Sequence, residues 1–435
     1  MNSVAHSKSP LKWTFSNKCV LVQDVNKFSR LEQVQGIFYL VKWLAIATMI
    51  GILVGTSSAA LLRALEWATV LRESNPPIIW LLPLAGLLSG LIYHYWGANV
   101  AGGNNLILGE IHQPRGVIPL RMAPLVLFGT TIAHLFGASV GREGTALQMG
   151  VALVERLAQL LRLGARDRRV GLIAGLSGGF ASVFGTPLAG MLFGLEVLSL
   201  GQFRYDGLFP CLIAAVIGDR ITLAWGLHHT VYQIPIVPEL TIWRLLAAIV
   251  AGGIFGVVAM IFSQLTHRWG AYFTAKISYP PARPFVGGML IAVAIQVVGT
   301  TKYIGLGIPT IESAFLTSLP PWDFAGKIAF TALSLGAGFR GGEVTPLFYI
   351  GATLGNILAP ILPLPAPLLA GMGFAAVFAG AANTPIAATM MAIELFGAST
   401  GVYAGVACVC SYLLSGNRGI YSAQRIGVGK LGDGE

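Results

Sequence analysis

The chain has 435 residues, of which 55% are hydrophobic and 11% charged, and its mean hydropathy is +0.72. Soluble domains average about 25% Asp, Glu, Lys and Arg, so this chain has too little polar surface for water, which excludes an ordinary cytosolic enzyme. Cys19, Cys211, Cys408 and Cys410 are too sparse for a disulfide-stapled secreted fold. The net charge of +10 arises from 28 Lys and Arg against 18 Asp and Glu. Most of the basic residues lie in short connections between apolar runs, the pattern of the positive-inside rule and not of nucleic-acid binding. The composition predicts an all-α polytopic membrane protein.

No secretory signal opens the sequence. Residues 1–35 are polar and carry Lys8, Lys12, Lys18, Lys27 and Arg30, so they read as a cytoplasmic amino-terminal segment. Apolar stretches follow at 37–71, 78–96, 121–140, 146–161, 170–200, 208–227, 242–265, 284–300, 325–337, 344–362, 366–381, 385–397 and 401–415. A straight span of the hydrocarbon core needs about 20 residues, and several stretches are shorter while others are far longer. Gly185-Thr186-Pro187 and Asn383-Thr384-Pro385 interrupt two of them. Broken, tilted helices are expected, since half-helices persist in a membrane only when buried in protein or lining a polar cavity. Arg162, Arg166, Arg168 and Arg169 mark a cytoplasmic connection, and Arg418, Arg425 and Lys430 place the short carboxyl-terminal tail on the same side. The tail leaves no room for a soluble regulatory domain.

The chain repeats. A shift of 198 residues pairs Gly175 with Gly373, Phe180 with Phe378, Ala181 with Ala379, Thr186 with Thr384, Pro187 with Pro385, Ala189 with Ala387 and Glu196 with Glu394. A shift of 200 pairs Gly141, Glu143 and Thr145 with Gly341, Glu343 and Thr345. The expected organisation is a first membrane repeat at 36–227, a connecting loop at 228–241 and a second repeat at 242–435. Paired halves of this kind place a transported ion at their interface, on the ends of discontinuous helices.

Three motifs carry candidate chemistry. Gly141-Arg142-Glu143-Gly144-Thr145 sets a carboxylate where an apolar helix begins, against the partial positive charge and free N–H groups of that helix end. Such a carboxylate can cap the helix, or it can compete with a mobile anion and carry a proton when displaced. Gly341-Gly342-Glu343-Val344-Thr345-Pro346 repeats the arrangement, with Pro346 suited to a first helical turn. Intramembrane acids mark ion and proton pathways. Gly102-Gly103-Asn104-Asn105 offers amide donors, either to an anion or within an ordinary turn. Tyr421 offers a hydroxyl, although membrane tyrosines commonly anchor at the interface. Glu196 and Glu394, which end their repeated segments, read as structural pairs. His228-His229 reads as a loop pair. No metal-ligand spacing, nucleotide-binding loop or nucleophile triad is present in the sequence, so neither a metal nor a cofactor is expected.

Taken together, Gly141-Arg142-Glu143-Gly144, Phe184-Gly185-Thr186-Pro187-Leu188-Ala189-Gly190 and Tyr421 resemble the CLC family of anion channels and anion/proton antiporters, over about residues 36–430. The resemblance implies two inverted, related halves of tilted and broken helices, a homodimer with one pore per subunit, and an integral inner-membrane location. It also implies that Glu143 gates the pore and relays protons. Anion coordination then falls to Asn104, Gly144, Thr145, Val344, Thr345 and Tyr421. The departures are informative. Chloride-type members have Ser where Asn104 stands, Pro where Thr145 stands, and Phe in the second-half loop occupied here by Glu343-Val344-Thr345. Chloride/proton antiporters carry a further Glu at the position of Val197. Asn104, Thr145, Glu343 and Thr345 are similar to the fluoride-type subgroup, which implies fluoride and protons as the transported species and Glu343 as a second proton relay. The alternative reading is a chloride-selective member, either an antiporter or a passive channel.

Overall fold

The structure is a computed structural model and describes residues 22–432, with side chains from residue 33. Residues 1–21 and 433–435 lie outside the described residues, and with them Lys8, Lys12, Lys18 and Cys19 of the amino-terminal segment. The chain divides into two compact units, Met1–Trp43 and Leu44–Glu435. The described part of the first unit is helical, and within it the rings of Tyr39 and Trp43 lie 6.3 Å apart.

The described residues form sixteen α-helices. In chain order they are α1 (Val22–Ser74), α2 (Leu82–Trp96), α3 (Asn104–His112), α4 (Met122–Phe136), α5 (Glu143–Leu160), α6 (Ala165–Phe184), α7 (Pro187–Glu196) and α8 (Leu208–Ala224). There follow α9 (Ile242–Lys276), α10 (Ala282–Val298), α11 (Ile308–Leu316), α12 (Asp323–Ala337), α13 (Val344–Leu358), α14 (Ala366–Ala382), α15 (Pro385–Phe396) and α16 (Gly401–Leu414). The only strands among the described residues are β1 (Ser199–Leu200) and β2 (Arg425–Ile426), a short parallel pair that ties the tail to the end of α7.

Segments Gln33–Ser74, Pro76–Trp96, Tyr205–Ala224 and Ile242–Lys276 are long and apolar enough to cross a membrane, while seven shorter apolar helices of 10–17 residues accompany them. Apolar side chains on the long helices face outward, as at Ile242, Trp243, Val250 and Val257 of α9. In water such exposure would be costly; in a membrane it is the surface that lipid covers.

The stretch 170–200 is broken where the sequence predicts. α6 stops at Gly185, which is left-handed at φ +72°, and α7 restarts with Pro187 in its first turn. Its counterpart α14 stops at Asn383, left-handed at φ +58°, and α15 restarts with Pro385. A left-handed residue ends a helix, and proline suits a first turn because its missing N–H would have no partner there. Two differences stand out. α1 begins well before residue 37, because Asn26 to Gln35 contains no Gly or Pro and is rich in good helix formers that hydropathy does not register. Arg166, Arg168 and Arg169 belong to the first turns of α6 and not to a loop. Arg168 is held there by Glu155 at 2.9 Å, which offsets the unfavourable placement of a cation at a helix start.

The packed centre lies between α13 and α14. A Cβ on Gly351 would stand 1.9 Å from the Gly373 carbonyl oxygen, and one on Gly373 would stand 2.1 Å from that of Gly351. Only glycine lets the two backbones touch in this way. Around them Phe348 stacks on Phe374 at 3.9 Å, while the repeat-related Phe180 and Phe378 stack at 5.8 Å.

Candidate functional site

The two acidic motifs meet. Gly141 N–H donates to Gly342 O at 2.6 Å, and Gly342 N–H donates to Gly141 O at 2.8 Å, an isolated antiparallel bridge between the segments that start α5 and α13. A side chain on Gly342 would stand 2.6 Å from Gly144 N. The glycines of both motifs thus bring two helix N-termini into backbone contact.

Glu143, wholly buried, is the first residue of α5, yet its carboxylate does not serve α5. One oxygen accepts Thr345 N–H and Arg142 N–H, each at 3.1 Å. The other accepts the Thr345 hydroxyl. Thr345 is the second residue of α13, so the carboxylate occupies the positive pole of the helix in the opposite motif, where a free anion would be held. Arg142 Nε lies 3.7 Å from Glu143 Oε1 and has no hydrogen-bond partner.

Glu343 does not return the favour. It is the N-cap residue of α13, and its Oε2 is buried with no hydrogen-bond partner. It lines a cavity of about 370 Å³ together with Asn104, Asn105, Gln148, Arg340 and Tyr421. The Tyr421 hydroxyl and Asn104 Oδ1 are likewise buried and unpartnered. Asn104 begins α3 after Gly103, which adopts φ +55°, and its amide nitrogen stands 2.9 Å from where a Cβ on Gly144 would lie. Gly144 is therefore needed for the α3 and α5 starts to converge. Asn105 is occupied otherwise: its Oδ1 accepts Ala423 N–H at 3.0 Å and so anchors the segment that carries Tyr421.

A second cavity, of about 840 Å³, is lined by Arg142 with Arg72, His228 and Lys302. A small void between the two motifs and the aromatic cluster is lined by Arg142, Thr345, Phe184 and Phe348. Arg142 borders both.

Of the residues singled out in the sequence, Glu143, Gly144 and Thr345 meet at the helix-end contact, and Asn104, Glu343 and Tyr421 meet at the 370 Å³ cavity. Val344 is fully buried and has only its backbone N–H to offer an anion. The Thr145 Oγ1 lies 2.7 Å from Thr130 Oγ1, so one of these two hydroxyls donates to the other. His229 is not merely a loop residue: Nε2 lies 3.0 Å from Asp219 Oδ1. Glu196 and Glu394 are structural and reciprocal. Glu196 accepts Ile386 and Ala387 N–H at the start of α15, at 3.0 and 2.8 Å. Glu394 accepts Leu188 and Ala189 N–H at the start of α7, at 2.9 and 2.8 Å. Arg340, Gln148 and Thr130 carry no signal in the sequence. Among the described residues no group of three His, Cys, Asp or Glu is placed to hold a metal ion.

The fold and site define a polytopic α-helical membrane protein in which two helix N-termini meet and a glutamate carboxylate sits at the pole of one of them. The family model described as voltage gated chloride channel matches residues 85–416, and the chain belongs to that family, the CLC proteins. A protein of Pseudomonas syringae pv. tomato described as a chloride/fluoride channel protein is 55% identical over 94% of this chain and 91% of its own length. An H(+)/Cl(-) exchange transporter ClcA of Vibrio vulnificus is 28% identical over 81% of each chain. A crystal structure described as a CLC-type fluoride/proton antiporter superposes with a TM-score of 0.87 at 32% identity, covering 89% of this chain and 99% of that one. A slow cyanobacterial Cl−/H+ antiporter, at a TM-score of 0.77 and 19% identity, has the same fold.

Proposed function

We propose that the chain is a proton-coupled anion antiporter that exports fluoride. The observation that carries this reading is the asymmetric pair of acids. Glu143 sits on the α13 N-terminus in place of an anion, while Glu343 faces the adjoining cavity with an unpartnered oxygen. An arriving anion competes with the Glu143 carboxylate for Thr345 N–H and its hydroxyl; the displaced carboxylate then takes up a proton. Each turn exchanges anion for proton because one position cannot hold both negative groups. Glu343 supplies a second proton site on the cavity side, where Val197 leaves the acid of chloride/proton antiporters missing.

Fluoride is small and strongly hydrated, so it exchanges its water only for hard N–H and O–H donors. The site offers these from Asn104, Thr345, Tyr421 and the backbone N–H groups of Gly144, Thr145 and Val344. The likeness to proteins described as a chloride/fluoride channel and a fluoride/proton antiporter supports the choice of fluoride over chloride. The 198-residue repeat and the two parallel helix breaks support two related inverted halves, 36–227 and 242–435. The basic connection at Arg162–Arg169 supports an inner-membrane protein with both termini in the cytoplasm, and the resemblance supports a homodimer embedded in lipid.

Purified protein in liposomes loaded with fluoride or chloride tests the function, with an electrode reading anion efflux and a dye reading internal pH. Rapid fluoride efflux with opposed proton movement and little chloride efflux is expected. E143Q, which cannot exchange a proton, should move anions without protons. Robust chloride efflux would overturn the selectivity, and proton transport undiminished in E143Q would overturn the role of Glu143.

A further inference from the structure

Arg340 stands in the short link between α12 and α13, three residues before Glu343, and lines the 370 Å³ cavity. Its guanidinium lies 3.8 Å over the ring of Tyr93, a buried residue of α2, and Nη1 donates to Ala101 O at 3.0 Å. The approach of Gly129 on α4 fixes its stem, since a Cβ there would stand 3.0 Å from Arg340 Cβ. The head is therefore held by a ring, a carbonyl and a helix, with little freedom to turn away. Among the described residues no carboxylate lies within 4.0 Å of it. Arg142 and Arg168, which are similarly half-buried, each have an acid, at 3.7 and 2.9 Å.

Arg340 is half-buried and lacks a counter-charge, so an anion that comes to it gains a charge interaction that no carboxylate already takes up. A fixed cation in the wall of a cleft also raises the local concentration of anions, because low-dielectric walls focus its field. The other groups here are Asn104, Gln148 and Tyr421, which are neutral donors, with His267 and Glu343 the remaining titratable ones. We propose that Arg340 is the anion-recruiting residue of this cavity: it draws a small hard monovalent anion out of solution and holds it next to Asn104 and Tyr421 before the anion reaches the helix-end position. Glu343, in the same cavity, keeps the anion from resting there. The proposal rests on the transport reading above.

The test is fluoride efflux from liposomes across a series of internal fluoride concentrations, at low and at high ionic strength set with potassium gluconate. R340Q should raise the KM for fluoride several-fold at low ionic strength, with the change falling on KM and not on kcat. The gap to wild type should close as salt shortens the reach of the charge, from about 10 Å at 0.1 M toward 3 Å at 1 M. R340K keeps the charge while giving up the planar stack on Tyr93, and should recover most of the lost affinity. An unchanged KM in R340Q at low salt overturns the proposal while leaving transport in place. An R340K as impaired as R340Q, with a salt-independent fall in kcat, also overturns it, because that is the signature of a group that only anchors Ala101 and the α3 start. Wild-type protein that moves no fluoride overturns the transport reading, and this proposal with it.

Discussion

Replacing Glu196 tests whether the end of α7 is a structural fastening or part of the proton route. The Glu196 side chain is 8% exposed and accepts two N–H groups at the start of α15. Leaving a buried N–H without its acceptor costs about 1–3 kcal/mol, and two such groups lose Glu196. The helix pole adds to this, because the carboxylate sits at the positive end of α15. E196A should therefore cost about 2–6 kcal/mol. E196Q retains an acceptor oxygen but loses the charge, and should cost about 1–2 kcal/mol, near the worth of one neutral hydrogen bond. E394A removes the mirror-image contacts from a half-buried position, so its loss should be smaller, about 1–3 kcal/mol after discounting for solvent. The assay is the thermal midpoint of the purified protein in detergent, followed by tryptophan fluorescence, with proton-coupled fluoride efflux measured on the same preparations. The expected order of midpoints is wild type, E196Q, E394A, E196A, with coupling intact in E196Q. A midpoint for E196A equal to wild type would refute the capping argument. Lost proton coupling in a fully stable E196Q would make Glu196 a proton relay.

Three further outcomes follow from the geometry. T345V deletes the hydroxyl that Glu143 accepts, leaving the α13 N–H alone, and should weaken fluoride binding by about tenfold, a factor equivalent to about 1.4 kcal/mol and within the range of a charged hydrogen bond; titration calorimetry reads it. N104S restores the residue of chloride-type proteins at the α3 start, and chloride efflux should rise relative to fluoride in the liposome assay. G373A forces a methyl to within 2.1 Å of the Gly351 carbonyl oxygen. Overpacking of this kind costs about 1–3 kcal/mol or more where neither backbone can retreat, and it should appear as a lowered thermal midpoint.

Much of this was legible in the sequence because it depends on residues whose chemistry is local. Gly185-Thr186-Pro187 and Asn383-Thr384-Pro385 break helices through backbone preferences that no partner needs to impose. The apolar stretches mark most of the helices for the same reason. α3 and α11 escaped a hydropathy reading because each has 9 residues, too few for a membrane-length window. The direction of Glu143 was only half legible. Its position at a helix start is written in the motif, but the helix whose pole it occupies lies some two hundred residues further along. Thr145 shows the converse: its hydroxyl has a partner in Thr130, on a helix with no motif at all. Arg340 had no signal, since an arginine beside Gly-Gly reads as a loop cation until Tyr93 and Ala101 are seen to hold it.

The repeat explains why glutamate recurs at these helix ends, and also what separates a gate from a cap. Among the described residues three carboxylates cross to a helix of the other repeated segment: Glu196 to α15, Glu394 to α7 and Glu143 to α13. The first two form a closed pair, each end of one helix satisfying the start of the other, so moving either leaves two buried N–H groups bare. The third is open. Glu143 serves α13, but Glu343 faces the cavity with an unpartnered oxygen. Symmetry would have given α5 a carboxylate as well. On the transport reading proposed above, Glu143 can then yield the α13 pole to an anion, with Arg142 between that acid and the larger cavity. The same device, a glutamate on a helix N-terminus, is thus a rivet where both members are engaged, and the proposed gate is the place where one has been turned aside.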